Sequence, residues 1–200
     1  AAQGQSILMQ NYRQFIHQEY GVRQLLVEHT HFNDPEKREH IRRLLIRAAQ
    51  QKTIPIVNYN DPVSDEENRK MELAIRRSHG DQVVECVDND ETAAVIANLV
   101  HAKKLVLMTS TEGIYRDPTD PKTLVEQVTA KSMEELEEKV RQLQESCVGA
   151  SRAGANGAKA KLEYALKSAR QGTMVIIGHA RHRLSDLVEG RVACTRIGLE

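Results

Sequence analysis

Short apolar runs recur along this chain, and most are separated from the next by a stretch whose apolar residues return at helical spacing. The runs lie at 22–27, 54–58, 83–87, 104–109, 173–177 and 191–197. Several are apolar at nearly every position instead of at alternate ones. A strand of that kind has to be covered on both faces, which calls for a mainly parallel sheet between helical layers. The expected class is therefore α/β, a three-layer α/β/α sandwich. Ligands of such sheets collect at the carboxyl ends of the strands. Three polar clusters fall there: Asn58-Tyr59-Asn60-Asp61, Asp88-Asn89-Asp90 and Thr109-Ser110-Thr111-Glu112.

The helical stretches carry their own punctuation. Ile7, Leu8, Tyr12, Phe15 and Ile16 keep helical spacing until Gly21. Asp34-Pro35 supplies an N-cap and a first-turn proline for a helix that buries Ile41, Leu44, Leu45 and Ala48. Arg38, Arg42 and Arg47 on its other side form a solvated face, since no aromatic residues are interleaved. A charged helix is expected over 65–79, an apolar one over 92–102, and a capping box at Ser132-Met133-Glu134-Glu135 opens another. Two Asp-Pro pairs at 117–118 and 120–121 mark a loop.

Charge and composition narrow the function. Lys plus Arg (28) balances Asp plus Glu (28), so no global field favours nucleic acid, and two Phe with no Trp leave few stacking platforms. Three widely spaced cysteines (Cys86, Cys147, Cys194) fit reduced thiols, and no apolar run approaches a membrane span. A cytoplasmic protein without membrane or nucleic-acid partners is the default expectation. His29-x-His31 would share a face if it lay on a strand but has no third ligand nearby, and His179-x-x-His182 with Arg181 and Arg183 reads as a solvated loop, with contact to a nucleotide as its other role.

Residues 149–162 read Gly-Ala-Ser-Arg-Ala-Gly-Ala-Asn-Gly-Ala-Lys-Ala-Lys-Leu. Three glycines and five alanines let the backbone approach a ligand closely, and Lys159 and Lys161 follow where helical spacing resumes. A small-residue loop, cations and a helix N-terminus suit a polyanion. The Gly-x-x-x-x-Gly-Lys-Ser/Thr spacing of a P-loop is absent. Turning the chain is the alternative role of such a loop.

Taken in order, these clusters resemble the amino acid kinase superfamily, above all its glutamate 5-kinase members, as do Gln3-Gly4-Gln5, Phe32-Asn33-Asp34 and 54–61. The resemblance implies the carbamate kinase-like fold over 1–200 as one amino acid kinase domain, expected to be incomplete at its N-terminus; the C-terminal RNA-binding-like domain that many members carry is expected to be absent. It implies phosphorylation of a carboxylate by ATP with Mg²⁺, giving glutamyl 5-phosphate where glutamate is the substrate, in a homo-oligomer. Lys161 matches the loop lysine that neutralises the transferring phosphate, and Asp90 an acidic residue that orients catalytic lysines. Capping of the helix at Thr92 is the other role open to Asp90. Asp61, Asn60 and Asn89 match the substrate-gripping positions. Thr109 and Ser110, with Ala155, Asn156, Gly157, Ala158, Lys159, Ala160 and Lys161, match the nucleotide side. The chain departs from the family in lacking a front lysine and glycine-serine loop, in the 27 positions between Asp61 and Asp88, and in Ser110 where an aspartate is usual. Two further readings stay open: a sister kinase acting on another carboxylate, carbamate or phosphate, and a non-catalytic nucleotide- or effector-binding homologue.

Overall fold

The computed structural model describes residues 2–60, 63, 66–78, 83–86, 88–117, 119–146 and 157–200, and the chain divides into two compact units, Ala1–Asn89 and Asp90–Glu200. The first unit holds α1 (Ala2–Phe15), β1 (Gly21–Val27), α2 (His29–Asn33), α3 (Pro35–Gln50), β2 (Thr53–Tyr59) and α4 (Glu66–Ser78). Strands β1 and β2 pair in parallel, from Gly21 opposite Thr53 to Val27 opposite Tyr59. A parallel pair needs a crossover, and α3 supplies it, packing on β2 with Ile41, Leu45 and Ala48 buried. Asp34 caps α3 as expected, its carboxylate accepting the amide protons of Glu36 and Lys37. On the solvated face, hydrogen bonds from Arg42 and then Arg43 hold the Glu39 carboxyl down at about 2.

The run at 83–87 is not a strand over its described residues, 83–86. At Val84 one side chain satisfies both peptide groups: Asn33 Nδ2 donates to the Val84 carbonyl at 2.8 Å, and the Val84 N–H donates to Asn33 Oδ1 at 2.8 Å. A carboxamide presents the same donor and acceptor as a peptide group, so Asn33 stands in for a neighbouring strand.

The second unit contains α5 (Asn89–Leu99, its first residue belonging to the first unit), β3 (Lys104–Thr109), β4 (Gln127–Ala130), α6 (Met133–Ser146), α7 (Gly157–Ala169), β5 (Met174–His179), α8 (Leu184–Glu189) and β6 (Thr195–Leu199). One four-stranded sheet runs β3-β5-β6-β4; the β3–β5 and β4–β6 pairs are parallel and the β5–β6 pair is antiparallel. Strand β5 shows why its run at 174–177 is apolar. Val175 and Ile177 join Leu136, Val140, Leu143, Leu162, Ala165 and Ala169 of α6 and α7 in one cluster, while Ile176 packs with Leu187 of α8 on the opposite face. The layers expected from the sequence are thus present within this unit.

Element ends differ from expectation where the signal was not glycine. Helix α5 was expected at 92–102 but runs Asn89–Leu99, because His101 takes φ 50° and the Ala102 N–H reaches back to the Ala97 carbonyl at 2.8 Å. That closure is commonly made by glycine, as it is at Gly172 after α7 and Gly190 after α8, both with positive φ. The last strand was expected over 191–197 and occupies Thr195–Leu199 instead. Strand β4, four residues with Val128 and Ala130 buried, had no counterpart in the sequence reading. No described helix is long and apolar enough to cross a membrane.

Candidate functional site

In the second unit, β3 and β5 lie side by side in parallel and bring Thr109 into register with His179. Both strands end at the same edge, and the Ala180 N–H donates to the Thr109 carbonyl at 2.8 Å. The chain turns sharply after Thr109: the Thr111 N–H donates to Thr109 Oγ1 at 3.3 Å, and the Thr111 hydroxyl donates to the Gly113 carbonyl at 3.0 Å. Ser110 is exposed at the crest of this turn. The predicted nucleotide pair thus sits at a strand carboxyl end, where peptide groups run out of ladder partners and side chains face solvent.

Asp90 and Lys161 come from different helices of the same unit and meet directly. Asp90 lies in the first turn of α5 and Lys161 in the second turn of α7, with Lys161 Nζ donating to Asp90 Oδ2. Each side chain is 26% exposed, so the pair is shielded yet open to a ligand. Because α5 begins at Asn89, Asp90 is inside the helix instead of capping a helix at Thr92. Its carboxylate still benefits from the positive helix end. It also fixes the ammonium of Lys161, whose flexible stem would otherwise sample many positions.

The described part of the small-residue loop begins at Gly157, which takes φ +53°, a conformation available to glycine at little cost. Ala158 packs against the core cluster, Ala160 is half-buried, and Lys159 is exposed while its carbonyl accepts Gln144 Nε2 at 3.0 Å. Ala158 and Ala160 therefore seat the helix start, and Lys159 and Lys161 supply its cations. Ala155 and Asn156 lie outside the described residues.

On the first unit, Asn60 follows β2 and is engaged within the protein. Its N–H donates to the Val27 carbonyl at 2.9 Å and its Nδ2 to Glu28 Oε1 at 2.7 Å. Asn89 is exposed at the start of α5, and Asp61 lies outside the described residues. The two histidines at 29 and 31 fall on α2, not on a strand. His29 is 5% exposed; its Nε2 lies 3.0 Å from Glu72 Oε2 and its Nδ1 3.1 Å from the Tyr59 hydroxyl. Among the described residues no group of three His, Cys, Asp or Glu side chains is placed to hold a metal.

One constellation escaped the sequence reading. Glu112 reaches from the turn after β3 to the loop after β5, accepting His182 Nε2 at 2.6 Å and a guanidinium N–H of Arg181. The sequence places Arg181 and His182 on a loop that is solvated or touches a nucleotide, but not against Glu112: 70 positions separate Glu112 from His182, and the parallel pairing of β3 with β5 joins them. The polar run at 109–112 was the available signal.

The sequence pattern of the amino acid kinase family matches residues 1–179. Among curated relatives, the glutamate 5-kinase of Geobacillus thermodenitrificans (strain NG80-2) is 32% identical over 203 residues, covering 100% of this chain and 49% of its own length. That of Geobacillus kaustophilus (strain HTA426) is 31% identical over 203 residues, with 100% and 49% covered. Glutamate 5-kinase 1 of Bacillus subtilis (strain 168) is 29% identical over 202 residues, covering 99% of this chain and 50% of the relative. The chain spans about half the length of the curated relatives it matches.

Proposed function

The chain belongs to the amino acid kinase family, and from that premise we propose that the full-length protein transfers the γ-phosphoryl group of ATP to a carboxylate, that of the L-glutamate side chain, giving ADP and glutamyl 5-phosphate. The observation that carries this reading is the Lys161–Asp90 contact. The glutamate assignment draws on the named relatives, about 30% identical.

Phosphoryl transfer asks a protein mainly to position reactants and neutralise charge. A carboxylate oxygen attacks the γ-phosphorus, the bond to the bridging oxygen breaks, and ADP leaves with the electron pair. Charge on the transferring oxygens and the leaving phosphate is what the site must stabilise. Lys161, held by Asp90, offers a positioned cation for them, and Lys159 offers a second, exposed one. The loop from Ala155 to Lys161 would lie along the polyphosphate, with Thr109 and Ser110 on the nucleoside side. Asp61, Asn60 and Asn89 would hold the amino acid, a carboxylate suiting its ammonium and amides suiting either end.

In this reading magnesium would arrive with the nucleotide and would add positive charge beside the transferring phosphoryl group. Magnesium binds readily in that way, keeping several waters and taking one or two carboxylates at most. We propose further that the active species is a homo-oligomer, as the resemblance implies, with no nucleic-acid or membrane partner and a cytoplasmic location.

The test is ATP turnover with Mg²⁺ by the full-length protein across glutamate, aspartate, N-acetylglutamate, carbamate and uridylate, with hydroxylamine present to trap an acyl phosphate. A glutamate-dependent hydroxamate is the expected product. Turnover with another member of the panel would move the assignment to a sister kinase. Nucleotide binding without turnover on any substrate would replace it with a non-catalytic homologue.

A further inference from the structure

Resting on the nucleotide reading above, we infer that Glu112 is a positioning residue for nucleotide binding, holding the Thr109–Gly113 turn in its ligand-ready form through Arg181 and His182. The turn is anchored at both ends without help from Glu112. At its start, the Thr109 carbonyl accepts the Ala180 N–H at 2.8 Å. At its end, the Ile114 N–H donates to Thr195 Oγ1 at 2.8 Å, and the Thr195 hydroxyl donates to the Val125 carbonyl at 2.6 Å. Gly113 makes that second anchor possible, since a Cβ there would meet Thr195 Oγ1 at 2.4 Å and Thr195 N at 2.9 Å.

Between the anchors, Ser110 and Thr111 are exposed, and the side chain that turns inward is Glu112, 17% exposed. It spans to the loop after β5 and accepts from two donors there: His182 Nε2 at 2.6 Å, with its ring 20% exposed, and Arg181, 64% exposed. That loop is braced in turn. His179 Nδ1 accepts the Arg181 N–H at 3.0 Å, and the His179 and His182 rings meet edge to face with centroids 6.3 Å apart. Exposed ion pairs contribute little. This one differs because the shared acceptor is mostly buried and both bonds carry charge, the stronger class of hydrogen bond. A turn fixed before its ligand arrives loses less conformational freedom on binding, which appears as affinity and not as a faster chemical step.

The experiment measures equilibrium ATP binding and steady-state kinetics on the full-length protein and its Glu112→Ala, Glu112→Gln, Arg181→Ala and Glu112→Ala/His182→Ala variants. Glu112→Ala is expected to raise the ATP Kd and KM about tenfold, with kcat and the amino-acid KM moving by about twofold at most. Glu112→Gln keeps an acceptor oxygen and should recover part of that loss. The double variant should bind ATP about as well as Glu112→Ala alone, because both changes remove one interaction. Arg181→Ala, exposed enough to leave folding intact, should weaken ATP binding about twofold. Unchanged ATP affinity in Glu112→Ala and Arg181→Ala would overturn the inference while leaving the kinase reading in place. Equal losses in kcat, both KM values and thermal stability would reduce Glu112 to a structural role, which also overturns it. An unmodified protein that binds no ATP would remove the kinase reading itself, and the inference with it.

Discussion

Under the proposed function, Lys161 would be a single charge that matters in one state and not another. Its partner Asp90 keeps the ammonium oriented while the site is empty of substrate charge, and both side chains are 26% exposed, so a phosphate can reach the lysine without unfolding anything. In the proposed transfer the lysine's attraction would grow as charge builds on the phosphoryl group, so its loss should fall on turnover. Lys161→Ala is expected to lower kcat about 10²–10³-fold with the KM for either substrate within a few-fold, read by steady-state kinetics on the full-length protein. A kcat left unchanged would remove Lys161 from the transfer step. Ser168, on the same helix, makes the opposite point. It is fully buried, and its Oγ has no partner among the described residues. An unmatched hydroxyl in the interior costs more than it returns, so Ser168→Ala should raise stability by about 1 kcal/mol in urea denaturation. A loss of stability would mean that the hydroxyl is bonded after all.

At the scale of elements, the segment at 83–86 shows how a side chain can replace a strand. Asn33 satisfies both peptide groups of Val84, so Asn33→Leu should leave a donor and an acceptor unmet and destabilise the first unit by about 1–3 kcal/mol. Faster amide exchange at 83–86 would accompany it; unchanged exchange and stability would show that the Asn33 bonds are dispensable. The same segment explains what could be read from sequence. Strand β5 was legible because burial on both faces makes its apolar run nearly continuous, β1, β2 and β3 because apolar residues cluster in them between polar ones, and α3 because Asp34-Pro35 marks its start. The run at 83–87 carries the same apolar signal, but a local pattern does not reveal that a side chain 51 positions away occupies its hydrogen-bonding edge. Strand β4 has two buried residues in four, too short a period to register. The end of α5 rests on His101 in a left-handed conformation, a choice set by context and not by residue type. In the site, Lys161 stood out as a cation at a helix start and Asp90 as part of a polar cluster, the resemblance supplied their roles, and their contact across 71 positions is a product of tertiary structure. The Glu112–His182 bond is likewise invisible until β3 and β5 are known to be neighbours.

At the scale of the molecule, the two units bury their apolar residues in different ways, and stability should follow that difference. The second unit covers its sheet on both faces, with Val175, Ile176, Ile177 and Ile197 fully buried at its centre. Among the described residues the first unit's sheet has two strands, and two-stranded sheets are marginal without further packing. Val27, Phe32 and Ala48 are buried there, but Ile7, Phe15, Met71 and Ile75 stay more than half exposed on its helices. Amides exchange through openings whose free energy tracks how much apolar contact must be broken. Hydrogen exchange followed by mass spectrometry on this 200-residue chain should therefore find the slowest amides in β5 and its β6 partner, with β1 and β2 exchanging about tenfold faster or more. Equal protection in the two sheets would mean that the chain opens as one cooperative body, and that the exposed apolar residues of α1 and α4 are covered in solution. Slower exchange in β1–β2 than in β5 would reverse the order altogether and make the parallel pair the stable centre on which the rest depends.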